Sequence, residues 1–136
     1  MRHVRSFLQA ASFTLVLAGG AAEAQSLSPM RGQVVSFSDR FALRLTPGNP
    51  YDRPMTVTVA VYDEGFRPIR AAVLPARQTL GPGHSGTVTV VVPFAEGRER
   101  RVRVCARARP VGTTGARIVT EVCGRYRGTR HALRRD

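Results

Sequence analysis

The sequence lacks the residue patterns on which common enzyme classes depend. It contains no G-x-S-x-G, H-E-x-x-H, P-loop or G-x-G-x-x-G motif. Its nine acidic residues are few and fall mostly in predicted turns or at strand ends, so the adjacent pair Asp63–Glu64 is interpreted as solvated rather than catalytic. We therefore predict that the protein is not an enzyme and needs no cofactor.

Cysteine and histidine are too sparse for a metal or redox site. After the first 24 residues only His84 and His131 remain, each isolated, whereas a zinc site needs three or four ligands. The two cysteines, Cys105 and Cys123, are far apart in the chain and do not form the C-x-x-C pair of a redox dithiol. The sequence thus predicts neither a metal centre nor redox catalysis.

Lysine is absent: the 21 basic residues are all arginines, and the formal net charge is +12. We attach no functional weight to that choice of cation, but its distribution is informative. Twelve arginines lie from Arg98 onward, against three acidic residues. No aromatic residue alternates with them before Tyr126, which argues against stacking of bases and hence against nucleic-acid binding.

After the N-terminus, no segment is apolar enough to cross a membrane. The N-terminus itself has basic residues within 1–5, an apolar stretch over 7–18, and the small-residue sequence Ala22-Glu23-Ala24. This three-part pattern is typical of a secretory signal peptide, and its apolar stretch is short for a span of about 20 residues. We predict a signal peptide over residues 1–24 and a protein that is periplasmic or secreted.

The remaining chain shows no helical periodicity over ten residues. Apolar residues instead recur at every second position, for example from Met55 to Val61 and from Val88 to Val92, as in half-buried strands. Turn sequences rich in Gly, Pro and Asn separate these runs. The pattern predicts seven strands, near residues 32–37, 40–46, 54–62, 69–74, 85–93, 100–109 and 116–126.

Short strands at this spacing predict an all-β fold, an immunoglobulin-like antiparallel β-sandwich over residues 25–127. A small barrel is the alternative. Residues 128–136 show no pattern, and we expect them to form a flexible basic tail. The free edge strands of a sandwich also leave a dimer possible.

The last two predicted strands form a hairpin whose register fixes the cysteine pairing. If the turn consists of Thr113–Gly115, Cys105 lies opposite Cys123, with Arg107 opposite Glu121 and Arg103 opposite Arg125 on either side. Directly opposed residues have Cα atoms about 4.5–5.5 Å apart, within the range that a disulfide accepts. An exported protein is exposed to oxidising conditions, so we predict a Cys105–Cys123 disulfide.

Alternation also places arginines around this disulfide. Val104, Ala106 and Ala108 face the core, so the bridge is expected on the outer face of the sheet, with Glu121 as the lone acid. A solvated face is the simplest interpretation, and a patch that binds anionic envelope components is the alternative. The arginines concerned are Arg101, Arg103, Arg107, Arg109, Arg117 and Arg125.

Four segments together resemble a known family. They are Leu27-Ser28-Pro29-Met30-Arg31, the strand Met55–Tyr62, the passage from Pro75 through Leu80-Gly81-Pro82-Gly83 to Val88-Thr89-Val90, and Tyr126-Arg127. In this order they resemble the opening strand, the third strand, the "P…L.PG…V.V" passage and the close of the last strand of the N-terminal domain of periplasmic pilus-assembly chaperones of the chaperone–usher type.

The resemblance implies a mechanism. In that family the last strand of the domain lends alternate apolar side chains to an incomplete pilin subunit, by strand addition at an open sheet edge. It implies that Arg31 holds the carboxylate of the subunit's C terminus, and it puts the basic position of the last strand near Cys123. The implied donor side chains are Ala116, Ile118, Thr120 and Val122, or Val119 on the other face.

The predicted function is therefore that of an exported protein-binding module, a chaperone-like accessory of pilus or surface-structure assembly with a pilin-like partner. The alternative is an envelope or secreted module that binds anionic surfaces through its arginine-rich sheet face.

Overall fold

The computed structural model describes residues 25–112 and 118–132, and these form nine strands. The predicted signal peptide, the hairpin turn Thr113–Gly115 and residues 133–136 lie outside the described residues. The strands are β1 (Ser26–Ser28), β2 (Arg31–Ser36), β3 (Arg40–Gly48), β4 (Met55–Tyr62), β5 (Ala72–Leu74), β6 (Arg77–Leu80), β7 (Val88–Pro93), β8 (Glu99–Pro110) and β9 (Thr120–Arg130).

The strands form two sheets, which confirms the predicted β-sandwich. One sheet has the order β1-β3-β7-β5 and the other the order β2-β9-β8-β4-β6. All neighbours are antiparallel except β2 and β9, which are parallel. Within the described residues no helix is long and apolar enough to span a membrane.

Two strands were not predicted, and the last one is shifted. β1 and β6 have three and four residues, too few to show an alternating pattern. β9 begins at Thr120, later than the predicted 116, and continues to Arg130, three residues beyond the predicted end of the domain at residue 127. Gly128–Arg130 pair with Val34–Ser36 of β2, and this pairing orders the first three residues of the predicted tail.

The core lies between the inward faces of the two sheets. Alternate residues of β7 (Val88, Val90 and Val92) face alternate residues of β8 (Val102 and Val104), and all five are at most 1% exposed. Burial of a valine side chain contributes roughly 1.5–3 kcal/mol. Packing of this core fixes the two sheets relative to each other. It therefore also fixes the backbone positions from which the side chains on the outer face of the five-stranded sheet project.

The chain passes from one sheet to the other between β1 and β2, and Tyr126 stabilises the connecting segment by a hydrogen bond. β1 pairs with β3 in one sheet, whereas β2 pairs with β9 in the other. The hydroxyl of the buried Tyr126 on β9 donates a hydrogen bond to the carbonyl of Pro29, 2.5 Å away. The phenol can lie there because residue 124 is glycine: a Cβ at that position would stand 2.1 Å from the Tyr126 hydroxyl.

Candidate binding edge and arginine row

The first half of β9 has a free edge. Strand β8 pairs with β9 along one side from Thr120 to Thr129. On the other side β2 covers only Arg125–Arg130. Among the described residues, Thr120–Gly124 therefore have no strand on that side, and we call this stretch the free edge of β9.

Two residues, Glu121 and Cys123, direct backbone groups out of the free edge. The N–H of Arg125 donates a hydrogen bond to the carbonyl of Met30, 2.8 Å away, on the side of β2. Backbone groups alternate sides along a strand, so the N–H groups of Cys123 and Glu121 point the same way as that of Arg125. They are directed to where β2 would lie if it were longer, and exposed backbone groups of this kind can pair with another chain.

Three arginines cross the outer face of the sheet where the free edge ends. Arg31 on β2 is opposite Arg125 on β9, and Arg125 is opposite Arg103 on β8. We call Arg31, Arg125 and Arg103 the arginine row. Within the described ranges, none of the three has a carboxylate within 4 Å. The row lines an open groove of about 520 Å³.

The next row along the strands is neutralised, in contrast to the arginine row. Here Gln33, Arg127 and Arg101 are opposite one another on β2, β9 and β8. The carboxylate of Glu99 lies 2.9 Å from Arg101 Nε and 3.9 Å from Arg127. Arg127 also donates a hydrogen bond to the side chain of Gln33 at 2.8 Å. This row thus has carboxylate partners that the arginine row lacks within the described residues.

Arg103 is held in place by the loop that follows β4. Its guanidinium lies 4.7 Å from the centre of the Phe66 ring, a cation–π contact, and its Nε donates to the carbonyl of Glu64 at 3.3 Å. Phe66 has a φ of 60°, in the left-handed region that a bulky residue seldom adopts. This conformation places an exposed aromatic ring against the arginine row.

Asp63 shapes that loop. Its carboxylate accepts hydrogen bonds from the N–H groups of Arg67 and Gly65, both at 2.9 Å. The hydrogen bond from the Arg67 backbone is the main cause that lowers the pKa of Asp63 below its ordinary value. Asp63 therefore acts as a turn-forming anion, whereas the carboxylate of Glu64 lies 3.9 Å from Arg101.

The disulfide lies beside the arginine row. Cys105 and Cys123 are opposed on β8 and β9 and are bonded, with Cα atoms 4.0 Å apart. The predicted pairings of Arg107 with Glu121 and of Arg103 with Arg125 are both present, the former as an ion pair at 2.9 Å. The bridge joins β9, in the middle of its free edge, to the interior strand β8.

The residues implied as donors are only partly in the strand. Ile118 and Val119 precede β9 and are 66% and 46% exposed. Thr120 and Val122 lie within the free edge, and Val122 packs against the core. Ala116 and Arg117 lie outside the described residues.

The predicted arginine patch lies on the outer face, but it is larger than predicted. Arg101, Arg107, Arg109 and Arg125 are exposed, and Arg103 is half-buried. Three further arginines share the face: Arg31, Arg77 and Arg127. Sequence reasoning missed Arg77 because β6 is too short to predict. The parallel register puts Arg125 opposite Arg31, two residues after Cys123, near which the resemblance puts the basic position of the last strand.

The comparisons with known proteins identify the fold. No protein-family model matches the chain, and no curated protein matches it. Among solved structures, it is similar to the E. coli chaperone DraB, with a TM-score of 0.68 and 22% identity over 82% of this chain and 57% of that one. It is also similar to a structure of the Salmonella enterica SafA pilin in complex with the SafB chaperone, with a TM-score of 0.69 and 17% identity over 85% of this chain and 58% of that one.

A solved structure of a single domain has a similar fold over nearly its whole length. A PapD-like domain of human CEP192 is similar with a TM-score of 0.58 and 9% identity over 94% of this chain and 99% of that one. The chain thus spans a little over half the length of the bacterial chaperone chains and all but 1% of the human domain. The chain has the immunoglobulin-like β-sandwich fold that pilus chaperones share with PapD-like domains.

Proposed function

We propose that the protein is a non-catalytic, periplasmic binding protein that pairs a strand of a protein partner with the free edge of β9, in the manner of a pilus-assembly chaperone. A single observation carries the proposal: in the described part of the chain, the free edge ends at an arginine row without carboxylate partners. The solved structures of this fold include a chaperone in complex with a pilin, which supports a pilin-like subunit as the partner.

The edge supplies the backbone part of the binding. Glu121 and Cys123 each direct an N–H and a carbonyl outward, and a partner strand would satisfy them as strand addition does elsewhere. Ile118 and Val119, exposed at the start of the edge, supply apolar surface. Covering such surface contributes roughly 25 cal/mol per Å². Main-chain pairing and apolar contact are both only weakly sensitive to salt.

The arginine row selects the orientation of the partner. A strand that runs parallel to β9 along Thr120–Gly124 ends with its C terminus beside Arg31 and Arg125. An antiparallel strand would bring a positively charged N terminus to the same arginines. Arginine forks bind carboxylates in bidentate geometry, so parallel addition with the terminal carboxylate at Arg31 is favoured.

The proposal can be tested by capture from a periplasmic extract with the oxidised full chain, at low and high salt. Ile118→Asp places a charge beside the free edge. Leu74→Asp is its matched control, because Leu74 is 65% exposed on β5, an edge strand of the other sheet. We expect a partner that is retained at high salt, lost with Ile118→Asp and kept with Leu74→Asp.

Hydrogen exchange on the captured complex locates the contact. The amides of Glu121 and Cys123 should become protected, whereas those of Val122 and Gly124, which point to β8, should change little. A complex that leaves the exchange of Glu121 and Cys123 unchanged would contradict strand addition. Partners that all dissociate at high salt would instead favour binding of anionic surfaces through the arginine-rich face, because salt screens exposed charges.

A further inference from the structure

We propose that the arginine row binds two neighbouring carboxylates, namely the terminal carboxylate of the partner strand and the side-chain carboxylate of an acidic last residue. This inference rests on the proposed function and specifies the C terminus of the partner as Asp or Glu.

The charge of the row exceeds what one carboxylate neutralises. In the adjacent row two carboxylates lie within 4 Å of the two arginines: Glu99 is near both Arg101 and Arg127, and Glu64 lies 3.9 Å from Arg101. By that ratio a single terminal carboxylate would leave two of the three guanidinium groups of the arginine row without an anion. A second carboxylate next to the first brings the row closer to the balance of its neighbour.

The shape of the row fits two linked anions better than one compact anion. The row crosses β2, β9 and β8, and neighbouring strands are about 4.8 Å apart. The two carboxylates of a C-terminal Asp or Glu are separated by a few bonds, so each can face a different part of the row. A phosphate group concentrates its charge at one point of the row.

Arg103 is prepared for such a ligand. The contact with Phe66 and the hydrogen bond from Nε to the Glu64 carbonyl fix its guanidinium. Among the described residues its two terminal nitrogens make no hydrogen bond. A side chain that is already ordered loses less conformational entropy when it binds. Phe66, whose φ is in the left-handed region, orders Arg103 in this way and is itself not part of the free edge.

The test uses small anions, so its result does not depend on strand addition. The oxidised full chain, labelled with ¹⁵N, is titrated with N-acetyl-aspartate, N-acetyl-asparagine and inorganic phosphate at constant ionic strength, and the arginine Nε–Hε signals are followed. We expect N-acetyl-aspartate to bind about fivefold more tightly than N-acetyl-asparagine, the upper end of what an exposed ion pair contributes. It should also bind more tightly than phosphate.

Variants distinguish the contribution of Arg103 to binding from that of the overall positive charge of the sheet face. Arg103→Gln should abolish the preference for N-acetyl-aspartate, whereas Arg109→Gln, with the same change of charge on the same sheet face, should keep it. Phe66→Leu leaves every arginine in place and should weaken the preference. Any of four results would overturn the inference: equal binding of the two amino-acid derivatives, no binding of N-acetyl-aspartate, tighter binding of phosphate than of N-acetyl-aspartate, or a preference that survives Arg103→Gln. A preserved preference in a protein that captures no strand would leave this site standing while strand addition fails.

Discussion

Arg31 and Arg125 are directly opposed on neighbouring parallel strands, so two like charges stand side by side on one sheet face. Opposed like charges destabilise a sheet, and the fold gains nothing from this pair. Arg31→Gln or Arg125→Gln should therefore leave the free energy of unfolding unchanged or raise it by up to about 1 kcal/mol. Partner binding should weaken at the same time.

Denaturant unfolding and capture of the partner test this separation of stability from binding. Arg44→Gln is the control, since Arg44 is exposed on β3 in the other sheet and should affect neither measurement. If Arg31→Gln lowered stability by more than about 1 kcal/mol, the pair would have a structural role that its geometry does not suggest.

Gly124 is a position on β9 at which an added methyl group should be harmful. Gly124→Ala would place a Cβ 2.1 Å from the Tyr126 hydroxyl and displace the phenol from Pro29. We expect a loss of roughly 1–3 kcal/mol in the free energy of unfolding, the range of overpacked sites. Gly65→Ala, whose Cβ would come no closer than 3.4 Å to other side chains, is the control. Equal unfolding midpoints for the two variants would contradict the packing described.

Tyr126 should make the fold sensitive to alkaline pH. Burial raises the pKa of its phenol from the ordinary 10.0 to about 12 in the folded protein. Above pH 10 the unfolded chain loses this proton while the folded chain keeps it, so stability is complete below pH 10 and declines as pH rises to about 12. Unfolding midpoints measured between pH 9 and 12 should fall less steeply for Tyr126→Phe than for the wild type; parallel curves would assign the alkaline loss to other groups.

The disulfide should stabilise both the fold and the binding edge. Cys105 and Cys123 are separated by 18 positions, and a crosslink over a loop of this size contributes about 3 kcal/mol by the chain-entropy estimate. The double variant Cys105→Ala/Cys123→Ala should unfold at lower denaturant concentration and exchange the β9 amides faster. Wild-type protein treated with a reductant is the control and should behave like the variant; an unchanged midpoint in both would show that packing alone holds β8 and β9 together.

The β8–β9 hairpin was predictable because its information is local. Alternation over Val102–Ala108 identified the buried face, and the equal distances of the two cysteines from a three-residue turn at Thr113–Gly115 fixed the register. The register predicted the disulfide and the contact between Arg107 and Glu121, both of which the structure contains.

The free edge and the arginine row depend on contacts that are distant in sequence. Arg31 meets Arg125 only because the chain changes sheets after β1 and β2 then runs parallel to β9. Hydrophobic alternation specifies which face of a strand is buried, but not which strand lies beside it. The length of β2 relative to β9, which leaves Thr120–Gly124 uncovered, is likewise a property of the tertiary pairing.

The limited length of β2 has a geometric consequence for any strand that adds to β9. Such a strand would be collinear with β2 and could advance only until it met the turn at Met30, whose carbonyl already accepts the Arg125 N–H. The stop lies at a fixed position, so every partner would be aligned from the end of its own chain. The register between partner and β9 would thus be set by the distance of each partner residue from the C terminus of its chain. Partners with different sequences could therefore share one register.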